Sequence, residues 1–167
     1  LAVGAAAVLA GGCSNGTSSG DAAEETSVGS AAGIDGFDTV RVLVRTPEGE
    51  LQWCMLLAAT EAQRERGLME VTEPGLNGYD GMLFRFPADQ TGAFWMRNTP
   101  MPLSIAYLDG DGALVSSTDM APCEDSPDCP PYPADGPFRL AVETAQGGLD
   151  ELGIGTGATV VDTEASC

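Results

Sequence analysis

Residues 38–57 read DTVRVLVRTPEGELQWCMLL, and two runs inside this stretch alternate with period two. Val40, Val42 and Val44 share one face of the first run, and Leu51, Trp53, Met55 and Leu57 share one face of the second. Successive side chains of a strand point to opposite faces, so this period marks half-buried strands. Pro47-Glu48-Gly49 between the runs supplies turn chemistry, and a β-hairpin is expected. Downstream, Thr60-Glu61-Ala62-Gln63 has the form of a capping box and Gly67 stands where a helix stops, which predicts one short helix over about 60–67. Alternation returns at Met82, Phe84 and Phe86, at Phe94 and Met96, and at Leu103, Ile105 and Tyr107. Asp109-Gly110-Asp111-Gly112 joins the last of these to residues 113–120 as a tight hairpin. Further strands are expected over 138–144 and, past a Gly-rich helical turn, 158–162. The expected fold is mainly β: a small antiparallel barrel or sandwich of about seven to eight short strands with one short helix.

Composition bounds the function classes. The chain of 167 residues has no histidine, which removes Ser-His-Asp and Cys-His catalysis and the commonest zinc ligand. Its formal net charge of -18 argues against nucleic acid and anionic lipid as direct partners, because each phosphate contact needs a cation. All seven cations are arginine, and abundant Gly and Ala accompany them. A GC-rich genome and a salt-rich habitat would both produce that bias.

Residues 1–12, LAVGAAAVLAGG, are apolar and uncharged, and Cys13 follows. The run is shorter than the roughly 20 residues that span a bilayer and fits the end of an export signal. Leu9-Ala10-Gly11-Gly12-Cys13 resembles a bacterial lipobox, so Cys13 is expected to be cut free and lipidated. Residues 13–37 then form a tether, rich in Gly, Ser, Ala and Thr, with four acids and no base. Such a coil spans roughly 25–30 Å. The domain, 38–167, carries 21 acids against 7 arginines. The expected location is the outer face of the cell membrane, held there by the lipid alone.

Four further cysteines suit an oxidising compartment. Cys123 and Cys129 flank a short polar loop, CEDSPDC, which favours their mutual pairing and leaves Cys54 for Cys167; sequence alone permits three connectivities. A four-cysteine zinc site lacks the usual CxxC spacing.

Three pieces occur in order: Gly67-Leu68-Met69, Asp80-Gly81-Met82-Leu83-Phe84-Arg85-Phe86, and Phe94-Trp95-Met96-Arg97-Asn98-Thr99-Pro100-Met101-Pro102-Leu103. With Ala106–Gly112 and Leu140-Ala141-Val142-Glu143 they resemble the prokaryotic DUF192 family over about residues 38–163. The resemblance implies a compact β-rich domain, often exported or membrane-anchored, with no established activity. Relatives usually carry an arginine where this chain has Val71 and an aspartate where it has Ser104. One explanation is an ion pair lost here as a unit, since stranding one partner costs more than removing both. The other is a changed activity.

Trp95, Arg97, Asn98 and Thr99 are the leading binding candidates: an aromatic surface, a forked cation and two hydrogen-bonding groups at a strand end. A carboxylate, phosphate or sugar acid suits that set. The packing alternative sets Trp95 in the core and pairs Arg97 with an acid such as Glu143. Met69, Met82, Met96 and Met101 are thioethers suited to Cu(I) or, more simply, to core packing. Asp109 and Asp111 fail as an EF-hand, because Ala113 and Leu114 stand where a ligand and a glycine are needed. Ser104 lies in no GxSxG elbow. The reading that results is a monomeric, non-catalytic envelope module for a small acidic or sugar ligand or an envelope protein, without a cofactor. The competing readings are an enzyme acting on envelope carbohydrate, with Glu143 and Asp109 as its carboxylates, and a methionine-based Cu(I) binder.

Overall fold

The computed structural model describes residues 34–72 and 76–167. The apolar leader, Cys13 and nearly all of the tether lie outside the described residues.

Strands β1 (Asp38–Thr46) and β2 (Gly49–Ala58) form the expected hairpin, with Val42 opposite Trp53. Helix α1 (Glu61–Arg66) begins at the capping box: Thr60 Oγ1 accepts from the Gln63 backbone N–H at 3.2 Å, and Gln63 Oε1 accepts from the Thr60 N–H at 3.0 Å. Gly67 ends it with φ 48°. The crossover through α1 is long enough for β3 (Met82–Gln90) to return parallel to β2, the one parallel pairing of the large sheet. There follow β4 (Ala93–Trp95), β5 (Leu103–Leu108), β6 (Leu114–Met120), β7 (Pro131–Pro133), β8 (Phe138–Ala145), α2 (Gly148–Glu151) and β9 (Thr159–Asp162). Seven strands make one sheet in the order β6-β5-β8-β3-β2-β1-β9, and β4 pairs with β7 as a separate ribbon.

The mainly β expectation holds, with two corrections. The described residues contain nine strands and two short helices, because Pro131-Tyr132-Pro133 forms a strand that its prolines disguised as loop. Prolines are tolerated there because β7 pairs on one side only, with β4. The sheet also does not close into a barrel. It curls until the β5–β6 turn reaches β9, where Ala113 bridges Thr159 and the Val160 N–H donates to the Gly112 carbonyl at 2.9 Å.

Both faces of the sheet are covered, which is why all six residues of β5 are buried. Alternation sorts them. Ala106 and Leu108 join Val40, Val42, Val44, Met55, Leu83 and Val142 in the core inside the curl, closed by Leu149, Leu152 and Ile154 of the α2 segment. Leu103, Ile105 and Tyr107 join Met82, Phe84, Met96 and Phe138 in a second core under the loops. Arg85 spans the mouth of the curl, donating through Nε and Nη2 to both carboxylate oxygens of Asp162 at 2.5 and 2.7 Å. The Asp162 hydrogen bond, with the charges of Asp162 and Glu164 behind it, holds its guanidinium pKa above the ordinary value against the lowering effect of partial burial.

At Gly112, φ is +81° and an added Cβ would stand 1.9 Å from the Val160 carbonyl oxygen. Gly112→Ala is therefore expected to cost about 2–3 kcal/mol in thermal unfolding, by forcing β9 away from the hairpin. Gly155, with open space around it, is the control: Gly155→Ala should cost well under half as much. Equal losses at the two positions would show that the contact between hairpin and β9 contributes nothing.

Candidate functional site

β4 places the aromatic motif by simple alternation. Phe94 turns inward, its ring 4.9 Å from that of Phe84 and 5.7 Å from that of Tyr107, both edge-on. Met96 is buried, and Trp95 between them must face out; it is 62% exposed. The core placement for Trp95 is therefore wrong. Beyond β4 the chain turns through Asn98, whose φ of 53° is matched by 61° at Glu70 in the loop alongside. The two residues are stitched together: Asn98 Nδ2 donates to Glu70 Oε1 at 3.1 Å, and the Glu70 N–H donates to the Asn98 carbonyl at 2.9 Å. Thr99 is buried and donates its N–H to the Met96 carbonyl at 3.0 Å. Cys123 bridges the backbone at Arg97 and Thr99, and its disulfide to Cys129 fixes the outer loop there. Cys54 is bonded to Cys167, so all four cysteines of the domain are paired and none is left for zinc.

These elements surround a cleft of about 530 Å³. Arg64 and Arg66 of α1, the aromatic residues Phe86, Phe94 and Trp95, and Thr99 and Glu143 line it. β3 contributes through an irregularity between Arg85 and Gln90. Four residues there, 86–89, stand against Arg139 alone of β8, so Phe86 and Pro87 swing toward the cleft. Both arginines are committed to backbone. Arg64 donates to the carbonyls of Ala59 and Arg85 with its guanidinium 5.0 Å from the centre of the Phe86 ring. Arg66 donates to the Asp35 carbonyl and lies over Phe37.

Glu143 is the unusual member. It sits mid-strand in β8, opposite Met82 on one side and Ile105 on the other, and is 5% exposed. Among the described residues its carboxyl makes no hydrogen bond and no ion pair, yet neither oxygen is sealed off, and the exposed remainder opens into the cleft. Burial without compensation pushes its pKa up to about 8. At neutral pH the cleft thus contains a carboxylic acid, able to donate as well as accept. Gly81 permits this packing, since a Cβ there would lie 2.5 Å from the Glu143 carbonyl oxygen. Tyr107 packs on the same side; burial raises its phenol pKa, and its hydroxyl donates to the Tyr132 carbonyl at 2.5 Å.

The structure thus gathers Trp95, Thr99 and Glu143 in one cleft and leaves the other two candidates outside it. Arg97 pairs with Asp125 at 3.3 Å in an exposed contact, not with Glu143, and lines a neighbouring cavity of about 380 Å³ beside the Cys129 loop. Trp95 and Met69 border both cavities. Asn98 serves the turn. Asp109 is no partner for Glu143: its Oδ1 accepts from the N–H groups of Asp111 and Ala113, both at 2.9 Å, as an organiser of the hairpin turn. Glu143 lies opposite Ile105, four residues from Asp109, which is about 13 Å along a strand. Carboxyl pairs of glycosidases stand roughly 5–9.5 Å apart. Met82, Met96 and Met101 are buried in the second core, as packing requires. Among the described residues no cluster of Cys, Asp and Glu is arranged to hold a metal ion.

Val71 and Ser104 do not face each other. Val71 is in the second core, while Ser104 shares the side of β5 that carries Ala106 and Leu108. Ser104 Oγ donates to Asp119 Oδ1 at 2.5 Å and accepts from the Gly147 N–H at 2.9 Å. Gln146 and Ser104 together hold the Asp119 carboxyl below its ordinary pKa. A lost ion pair between positions 71 and 104 is ruled out by these opposite faces. The acid expected at 104 has a counterpart directly across the ladder at Asp119.

No curated protein matches the chain. Solved structures share its fold, among them the following two. A protein of unknown function from Novosphingobium aromaticivorans DSM 12444 is 31% identical, with a TM-score of 0.66 over 80% of this chain and 94% of its own. A candidate transcription regulator from Sinorhizobium meliloti 1021 is 25% identical, with a TM-score of 0.63 over 80% of this chain and 100% of its own. The model of the family DUF192, described as Uncharacterized ACR, matches residues 43–161, and the chain belongs to that family.

Proposed function

We propose that the protein is a lipid-anchored module of the cell envelope that captures a small ligand in the cleft between α1 and β4. The observation that carries this reading is Glu143: a carboxyl desolvated at about 5% exposure, without a partner among the described residues, opening into a cavity of ligand size. A protein gains no stability from such a group, and a ligand that satisfies it recovers the loss. Trp95 adds an exposed aromatic face at the rim, where sugar rings and other flat or apolar groups stack. Regulation of transcription through DNA contact suits this chain poorly, since four of its seven arginines are already in ion pairs with acids.

The test is thermal-shift screening of the whole chain against sugars, sugar acids, amines and short peptides, repeated on Trp95→Ala and Glu143→Gln. At a hundredfold excess over Kd a ligand of this site adds about 2.7 kcal/mol, and that gain should vanish in one variant or both. Hits that survive in both variants would place the site elsewhere. For the anchor, Cys13→Ser in the precursor is expected to abolish palmitate labelling and release the protein from membranes; retained labelling would end the lipoprotein reading.

A second reading is favoured by the same carboxyl. An acid that keeps its proton at pH 7 is suited to general-acid catalysis on envelope carbohydrate, with Glu61 or Glu65 of the cleft as the second carboxylate in place of Asp109. Release of reducing ends from cell-wall glycans, lost in Glu143→Gln, would establish it; binding without turnover would exclude it.

A further inference from the structure

Glu143 lacks one thing that every other engaged carboxylate of the domain has: a donor. Asp162 has Arg85, Asp89 has Arg139, Glu50 has Arg45, Asp119 has Ser104 and Gln146, and Asp80 has the Cys54 N–H. The two cations that line the cleft, Arg64 and Arg66, spend Nη1 on backbone carbonyls and make no bond to Glu143. What surrounds the mouth instead is aromatic: Phe86 and Phe94 half-buried, Trp95 exposed. Rings attract cations over their faces, and a buried carboxylate without a counter-ion attracts them more strongly. The domain as a whole has 21 acids against 7 arginines, a field that gathers cations.

We propose that the ligand of the cleft is a small organic cation, an ammonium group whose charge is met by the Glu143 carboxylate and whose methyl or methylene groups pack on Phe86, Phe94 and Trp95. This rests on the cleft being the binding site and names its ligand class. The positive charge supplies the missing counter-ion, so Glu143 gives up its proton as the ligand enters. A cleft of about 530 Å³ holds a cation of choline size with room for water.

Proton release gives the inference a signature beyond affinity. Below the raised pKa of Glu143 each ion bound displaces one proton, so Kd should fall about tenfold per pH unit from 5.5 to 7.5 and level off above 8. The other charged groups lining the cleft are Glu61, Glu65, Arg64 and Arg66, all on α1; Tyr107 adjoins Glu143 from β5. No histidine exists to titrate over the same range.

The experiment is isothermal titration calorimetry of the full chain with choline, with Nα-acetyl-lysine methylamide, and with 3,3-dimethyl-1-butanol, the uncharged isostere of choline. Runs in phosphate and in ACES, a zwitterionic buffer of higher ionisation enthalpy, at pH 6.5 count protons. The expected result is binding of one or both cations with about one proton released, at least tenfold tighter than the isostere. Glu143→Gln should lose both the preference and the pH slope, Trp95→Ala should weaken binding several-fold, and Glu65→Gln should keep the slope. Binding of the isostere as tightly as choline, cation affinity independent of pH, or no cation bound at millimolar concentration at pH 8 would overturn the inference. If the cations fail while a neutral or acidic ligand from the wider screen binds in a Trp95-dependent way, the cleft remains the site and only the ligand class is wrong.

Discussion

Glu143→Gln is expected to stabilise the protein at pH 9 by about 5 kcal/mol and to leave its stability at pH 4 nearly unchanged. The argument follows the proton. In the folded protein Glu143 keeps its proton up to about pH 8, whereas in the unfolded chain the group ionises near 4.5. Between those values the folded state binds more protons than the unfolded one, so stability falls as pH rises, by about 1.4 kcal/mol per unit. Below 4.5 both states are protonated and the carboxylic acid packs much as an amide of the same shape. Above 8 the folded state contains a desolvated carboxylate, and replacing it with glutamine removes that cost. Denaturant unfolding of both proteins at pH 4, 6.5 and 9 gives the difference directly. A difference that stays constant with pH would mean that Glu143 is hydrated or paired in solution, and the proposed role of the cleft would fall with it.

A group that costs stability throughout the range above pH 4.5 needs a reason to be where it is. Residue 143 is in the middle of a central strand, next to Val142 and opposite Met82 and Ile105, where an aliphatic side chain would pack without penalty. Buried ionisable groups of this type concentrate at functional sites. The surroundings agree: two left-handed non-glycine residues, Glu70 and Asn98, are locked to each other within a few residues of the cleft-lining Met69 and Thr99. Strain of that sort persists where neighbours over-determine the backbone.

Much of the fold was legible because its causes are local. Alternation exposed β1, β2, β3 and β5, and the capping box located α1 to within a residue at each end. β7 was not legible, because two prolines in three residues argue against a strand until a one-sided pairing is seen. The site divides along the same line. The inward faces of Phe94 and Met96 already imply that Trp95 points out; the general tendency of aromatic residues toward burial concealed it. Glu143 could be named from its motif but not understood. Its isolation depends on where Arg64, Arg66 and Arg97 direct their guanidinium groups, and that depends on carbonyls and acids distant in sequence. The opposite faces of Val71 and Ser104 likewise emerge only once both cores are assembled.

Removing the Cys54–Cys167 bond, by Cys54→Ser with Cys167→Ser, is expected to cost about 4–5 kcal/mol, roughly twice the loss from removing Cys123–Cys129. The bonds join residues 113 and 6 apart, and loop-closure entropy in the unfolded chain grows with the logarithm of that separation, so the short loop contributes only about 2 kcal/mol. The native contacts reinforce the ranking. Past β9 the chain keeps running along β1: the Arg41 N–H donates to the Ala165 carbonyl at 2.7 Å, and Thr163 Oγ1 donates to the Arg41 carbonyl at 2.7 Å. Arg41 lies opposite Cys54 on β2, so the disulfide reaches across β1 and ties the last residue to the middle of the sheet. Without it these few bonds must hold an exposed terminus by themselves, and they fray. The short loop has a different task. Cys123 touches the backbone of Arg97 and Thr99, so its release should loosen the rim of the cleft more than the fold. Guanidinium unfolding should therefore rank the long bond first, while ligand affinity ranks the short bond first. The same order in both measurements would refute this division of labour between a bond that holds the fold and a bond that shapes the site.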